Sequence, residues 1–196
     1  MFCGIVQMFF REEVRKKPIA SAYIEPQDLD KIRRRLSRED CALVDILRLS
    51  GYRVDDLLCS VEFQWSGKTS VTLKEAKTGN IRTVKITPEL REAIDRYKSV
   101  RRLKWKPTML TYFVQARRFR KDDAHKRHRT TLYRHFAEAV KKAGLEGKGY
   151  TVHSLRKCYA VNLYASTGSL LAVQKDLGHS NIATTCLYVF ASRASL

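Results

Sequence analysis

The sequence predicts an α+β fold, mainly helical, with a small antiparallel β-sheet built around one hairpin. Two observations carry this expectation. Apolar residues recur at three- and four-residue spacing over most of the chain, while one short central stretch alternates with period two on either side of a turn. With 196 residues, of which 44% are hydrophobic, the chain can bury one sizeable core. A single domain is therefore expected over 24–196, preceded by a leader or linker remnant at 1–23.

The helices announce themselves by their faces and their ends. "EPQDLDKIRRRL" puts Leu29, Ile32 and Leu36 on one side, and "SREDCALVDILRLSG" follows with Ser37 as N-cap, Asp40 three residues on and Gly51 as the stop. A brief apolar turn, "VDDLL", leads into strand-like "EFQW", "SVTL" and "RTVKI", the last two joined by the turn-rich "KEAKTGNI". "TPELREAIDRY" restarts a helix with Thr87 as cap and Pro88 in the first position. The segment 101–129 is dense in Arg and Lys and poor in periodic apolar residues, which predicts an extended or looped stretch facing a polyanion. In "TTLYRHFAEAVKKAGL", Leu132, Phe136, Ala139, Val140 and Ala143 share a face that leaves out Tyr133 and Arg134, and Gly144 ends the helix. "VHSLRKCYAVNLYAS", "SLLAVQKDLGH" and "NIATTCLYVFAS" complete a helical C-terminal half.

Charge narrows the partner. Lys and Arg number 38 against 20 Asp and Glu, a formal net charge of +18, which exceeds what solubility requires and points to nucleic acid. No stretch approaches the roughly 20 apolar residues of a membrane span. The leader "MFCGIVQMFF" lacks the basic start and small-residue cleavage site of a secretory signal, so a cytoplasmic protein is expected, nucleoid-associated if the source is prokaryotic. Cys3, Cys41, Cys59, Cys158 and Cys186 are spread without a C-x-x-C pair, consistent with reduced and mostly buried thiols rather than disulfides or a zinc site. His125, His128 and His135 stand among Arg and Lys that would repel a cation, so they read as solvated or phosphate-facing. The adjacent pairs Asp55-Asp56 and Asp122-Asp123 would point apart on a helix, unlike carboxylates that share two metals. No metal is expected.

"TVHSLRKCYA" places His153 and Arg156 on one helical face, where both reach one anion. A metal-free attack on a phosphodiester needs cationic donors for the non-bridging oxygens, a nucleophile and an acid for the leaving oxygen. The residues that could supply them form a recognisable set: from about Ile24 to Phe190 the chain resembles the catalytic domain of the tyrosine recombinases, the phage-integrase family. "LRLSGYRVDDLL" is similar to that family's first motif, "KTGNIRTVKIT" to its hairpin lysine motif, "HSLRKCYA" to its His-x-x-Arg motif and "LGHSNIATTCLY" to its terminal motif.

The resemblance implies a role for each matched position. Arg53 is the first catalytic arginine, with Asp56 the carboxylate that helps hold it. Lys77 protonates the leaving 5′ oxygen. His153 and Arg156 are the central pair, His179 donates to a phosphate oxygen, and Tyr188 is the nucleophile that forms a 3′-phosphotyrosyl link. Because that ester keeps the bond energy, rejoining needs no cofactor. The partner implied is double-stranded DNA, with protomers monomeric when free and tetrameric on two recombination sites, as in integration of a mobile genetic element. Arg129, Thr130, Tyr133 and Arg134 are the candidates for DNA contact.

Taken singly, these residues have plainer readings: Arg53 a surface residue at a helix start, Lys77 a solvated turn lysine, Tyr188 a core aromatic beside Val189 and Phe190. Six in the right order reverse that judgement. Tyr159 and Tyr164 are alternative hydroxyls, better explained by packing. Two other functions remain open at this stage, a catalytically silent DNA-binding accessory protein and a type IB topoisomerase-like relaxation of DNA. The chain departs from the family pattern at Asp55 and Asp56, which replace a small residue and Glu, and in having eight residues after Tyr188, where many relatives extend a tail onto a neighbour. Residues 1–23 are too few for the helical core-binding domain of those relatives, so that domain is expected to be absent.

Overall fold

The computed structural model describes residues 21–58, 65, 67–104 and 123–190. The expectations for the leader, for Cys3 and Cys59, for residues 62–64 of "EFQW" and for 105–122 lie outside them. The first two helices, α1 (Pro26–Arg33) and α2 (Arg38–Ser50), form where the spacing of apolar residues places them. Ser37 caps α2 by accepting from the Asp40 amide at 3.1 Å and donating to the Asp40 carboxylate at 2.7 Å. Gly51 ends α2 at φ +65°, and a Cβ there would run into the Tyr159 ring. A short helical turn over 54–58 follows.

Strands β1 (Ser70–Lys74) and β2 (Ile81–Lys85) pair antiparallel, Thr72 opposite Thr83. Their inward positions Val71, Leu73 and Val84 are buried, with Ile86 just beyond, while Thr72 and Thr83 face solvent and bond each other at 2.8 Å. Among the described residues these are the two strands of the sheet. Helix α3 (Pro88–Lys104) begins at Thr87, whose hydroxyl accepts from the Leu90 amide at 3.3 Å, and buries Leu90, Ala93, Ile94 and Tyr97 against α2. The long α4 (Asp123–Lys142) contributes Leu132, Phe136, Ala139 and Val140 to the same core. Helices α5 (Ser154–Thr167), α6 (Leu170–Leu177) and α7 (Ile182–Phe190) enclose a second, smaller cluster of Ala160, Val173, Leu177 and Val189.

Two buried carboxylates tie this framework together. Asp45 of α2 is fully buried and meets Arg33 of α1, Arg48 of its own helix and Arg96 of α3 at 2.8–2.9 Å. Asp28 of α1 takes Lys148 at 2.7 Å and Tyr150 at 2.8 Å, which fixes the segment that leads into His153.

Several expectations need correction. Part of 101–129 is helical: residues 101–104 extend α3 and 123–129 open α4. Lys and Arg are good helix formers, and a helix anchored by an apolar face further along needs no apolar residue in its outer turns. Tyr133 does not stand clear of the apolar face, since it packs against the main core. His135 is not merely solvated, because its Nδ1 meets the Asp40 carboxylate at 2.9 Å. Of the described thiols Cys158 is buried, but Cys41 and Cys186 are only partly so. Among the described residues no helix is long and apolar enough to cross a membrane.

Candidate active site

The site is assembled where the end of α2, the hairpin turn and helices α5 to α7 meet. Tyr52, fully buried, donates its hydroxyl to the Arg82 and Val71 carbonyls at 2.8 and 3.2 Å, so the loop carrying Arg53 is pinned to the hairpin. Arg53 pairs with Glu75. Arg156, only 3% exposed, donates to the Gly51 carbonyl and the Leu177 carbonyl, both at 2.7 Å, and lies 3.4 Å from the other Glu75 oxygen. Glu75 thus joins the two arginines. Burial works to raise its pKa, but hydrogen bonds from Arg53 and Thr78 and the charge of Arg156 outweigh that and hold it below the usual glutamate value. Burial, then the neighbouring Arg53 and Arg82, bring Arg156 down to about 10, so it stays charged at neutral pH.

Asp56 lies beside this pair, but its Oδ1 accepts from the Ala76 amide at 2.9 Å and so holds the hairpin turn. Burial raises its pKa, partly offset by the Ala76 amide and by Arg53 and Arg156. Arg53 thus pairs with Glu75 and also feels the charge of Asp56. The turn itself closes through the Glu75 amide on the Asn80 carbonyl and Thr78 Oγ1 on the Glu75 carboxylate, both at 2.8 Å. It presents Lys77 to solvent between two anchored neighbours, Ala76 and Thr78.

Arg53, Lys77, His153 and Arg156 line one cleft of about 210 Å³, together with Arg129 and Tyr133 of α4. Arg129 sits over the Tyr133 ring, 5.5 Å from its centroid, and pairs with Asp55 at 3.1 Å across the cleft wall. Thr130 and Arg134 are exposed on α4 and are not among the residues that line it.

His153 and His179 flank Tyr188. The Tyr188 hydroxyl is hydrogen-bonded to His153 Nε2. The His179 ring stands 4.8 Å from the tyrosine ring at 67°, and its Nδ1 meets the buried Thr185 hydroxyl at 3.0 Å. Partial burial, then the charges of Arg156, Lys157, Arg53 and Lys77, push His153 down to about 4 although the residue is exposed to solvent. His179 falls to about 4 as well, through burial and the two arginines. Both imidazoles are therefore neutral at pH 7. Burial raises the Tyr188 phenol, against the opposing pull of Arg156 and Arg53. The other two hydroxyls point elsewhere: Tyr159 packs on Gly51 and Arg82, and Tyr164 meets Phe190 edge-on at 5.5 Å.

Two residues of this site escape a reading of motifs. One is Glu75. The other is Arg82, 5% exposed, which lies over the Tyr52 and Tyr159 rings and donates from Nη2 to the Ser50 carbonyl and Asp176, both at 2.7 Å. It links the hairpin to the end of α2 and to α6. The signal was available in the alternation: 71, 73 and 75 share a face, as do 82, 84 and 86, so each charge occupies an inward-facing position and needs a partner there.

The phage integrase family model matches residues 23–194. The chain belongs to the phage integrase family. It is 30% identical over 179 residues to tyrosine recombinase XerD of Chlamydia pneumoniae, covering 87% of this chain and 54% of that protein. It is 31% identical to tyrosine recombinase XerA of Pyrococcus furiosus, covering 90% and 54%. This family member thus spans about half the length of those relatives. Its fold is similar to that of a solved XerA recombinase, with a TM-score of 0.61 at 24% identity over 89% of this chain and 63% of that one. It is also similar to lambda integrase, solved as a tetramer bound to a Holliday junction, with a TM-score of 0.59 at 21% identity over 86% and 48%.

Proposed function

We propose that this chain carries the catalytic centre of a site-specific tyrosine recombinase, which cleaves and rejoins double-stranded DNA through a 3′-phosphotyrosyl intermediate. The observation that carries the reading is the Tyr188 hydroxyl bonded to a neutral His153, one helical turn from the locked guanidinium of Arg156. Arg53 and Arg156 take the non-bridging oxygens of the scissile phosphate, since guanidinium forks match that geometry and stay charged at working pH. His179 Nδ1 bonds the Thr185 hydroxyl, and in the tautomer whose Nδ1 accepts that bond, Nε2–H donates to a phosphate oxygen. Tyr188 attacks, its proton passes to His153, the P–O5′ bond breaks, and Lys77 protonates the departing oxygen.

Arg129 and Tyr133 hold the DNA backbone at the cleft mouth, with Thr130 and Arg134 further out on the same helix. The similar fold of lambda integrase, solved as a tetramer on a Holliday junction, supports an assembly of four protomers. A nicked duplex library with randomised arms tests the reading: cleavage beside the nick releases a short strand and traps the protein on DNA. Strand exchange between two copies of a recovered site supports the recombinase. Relaxation of a single plasmid without exchange favours a topoisomerase, and a tightly bound site with no trapped protein favours a silent accessory role.

A further inference from the structure

Lys157 has no place in the chemistry above. It is 8% exposed, and among the described residues its ammonium has neither a carboxylate nor a carbonyl partner. A cation on so little exposed a side chain loses much of its hydration, and a methionine or leucine would fill the same space on α5 without that cost. Its charge acts on His153, and its Nζ stands over the Tyr188 ring, 5.6 Å from the centroid. Helix geometry sets this up. Arg156 turns inward to the Gly51 and Leu177 carbonyls, and the next residue, about 100° further round, turns toward α7.

We infer that Lys157 is a further charge-stabilising residue of the reaction, holding the negative charge that develops on the Tyr188 phenol as it attacks. The inference rests on the functional reading given above. A cation at a ring face is attracted weakly by a neutral phenol and more strongly by a phenolate, whose charge spreads into the ring. The difference lowers the barrier, because it is realised only as the O–H bond breaks. Lys157 keeps its own proton throughout: the phenol proton goes to His153, the new bond is Tyr188 Oη to phosphorus, and O5′ takes its proton from Lys77. Burial lowers the pKa of Lys157, as expected for a cation waiting for an anion. The other groups that act on Tyr188 are His153, His179, Arg156 and Arg53, so the test must alter Lys157 alone.

A fluorinated tyrosine placed at 188 ionises well below lysine and reports its own charge by 19F NMR without DNA. In Lys157→Met and Lys157→Gln its midpoint should rise by roughly half to one and a half pH units, the range a ring-face cation supports. Lys157→Arg should leave it near wild type. On the nicked duplex, Lys157→Met should slow trapping by a factor of roughly 3 to 30 with the natural tyrosine, and by less with the more acidic fluorinated one. Unmoved midpoints in both neutral variants, or equal trapping defects with either phenol, would overturn the inference, since loss of packing alone slows both. If the midpoints move while wild type traps no DNA, the functional reading fails and the coupling between Lys157 and Tyr188 stands.

Discussion

Replacing Glu75 by glutamine probes the frame of the site more sharply than any change to the arginines. The side chain is 1% exposed and stands between Arg53 and Arg156, so Glu75→Gln keeps the volume and removes the carboxylate that pairs directly with both cations. Breaking a buried ionic pair from one side typically costs about 3–5 kcal/mol, because the remaining charge is left uncompensated. The glutamine oxygen can still accept one hydrogen bond, which favours the lower end of that range. For a chain of this size, about 3 kcal/mol lowers the melting midpoint by roughly 6–12 °C. The pH dependence provides a second reading. The folded-state pKa of Glu75 lies below that of an unfolded glutamate, so its contribution is fully present above the unfolded value near 4.5 and fades as pH falls through the folded one. Denaturant titrations at a series of acidic pH values should show wild type losing stability across that window, and Glu75→Gln losing less. An unchanged melting midpoint together with an unchanged acid profile would show that Glu75 does not hold the arginines as described.

Further outcomes follow from the same geometry. Gly51→Ala combines a left-handed backbone with a clash against Tyr159 and should cost roughly 2–5 kcal/mol, read by denaturant unfolding, while moving the carbonyl that holds Arg156. Lys77→Ala should slow trapping on ordinary DNA and be partly rescued by a bridging 5′-thio leaving group, which departs without a proton; equal defects on both would make Lys77 a binding residue only. Arg129→Ala should weaken duplex binding and reduce the slope of log K against log salt by about one, whereas an unchanged slope would remove Arg129 from the DNA contact. With both histidines depressed to about 4, the acid limb of trapping at subsaturating DNA should fall below the ordinary histidine range near pH 6.5; a limb at or above 6.5 would contradict a neutral His153 accepting the phenol proton.

The sequence made the helices readable wherever caps and apolar faces coincide, as at Ser37, Thr87 and Gly51, because those signals act within a few residues. The same holds for the hairpin, whose alternating apolar positions bracket a turn. The motifs brought Arg53, Lys77, His153, Arg156, His179 and Tyr188 to attention in order, and the fold gathers them around one cleft and one tyrosine. What could not be read were the partnerships. Glu75 reaches Arg156 across 81 positions and Arg82 reaches Asp176 across 94, and such pairings depend on tertiary packing that no local pattern encodes. The helical start of α4 is illegible for the opposite reason, since a basic run without apolar spacing is equally compatible with a loop. Asp56 was matched by its place in a motif, and only the three-dimensional arrangement reveals that it bonds the turn before Lys77.

The central claim is that one hydroxyl attacks DNA. Trapped protein should be digested and the peptide bearing the nucleotide identified, alongside a Tyr188→Phe variant whose ring still packs between His153 and His179. The account predicts nucleotide on the peptide containing Tyr188, together with duplex binding and a melting midpoint close to wild type but no covalent product in Tyr188→Phe. Nucleotide recovered on Tyr159 or Tyr164, or undiminished trapping by Tyr188→Phe, would contradict it.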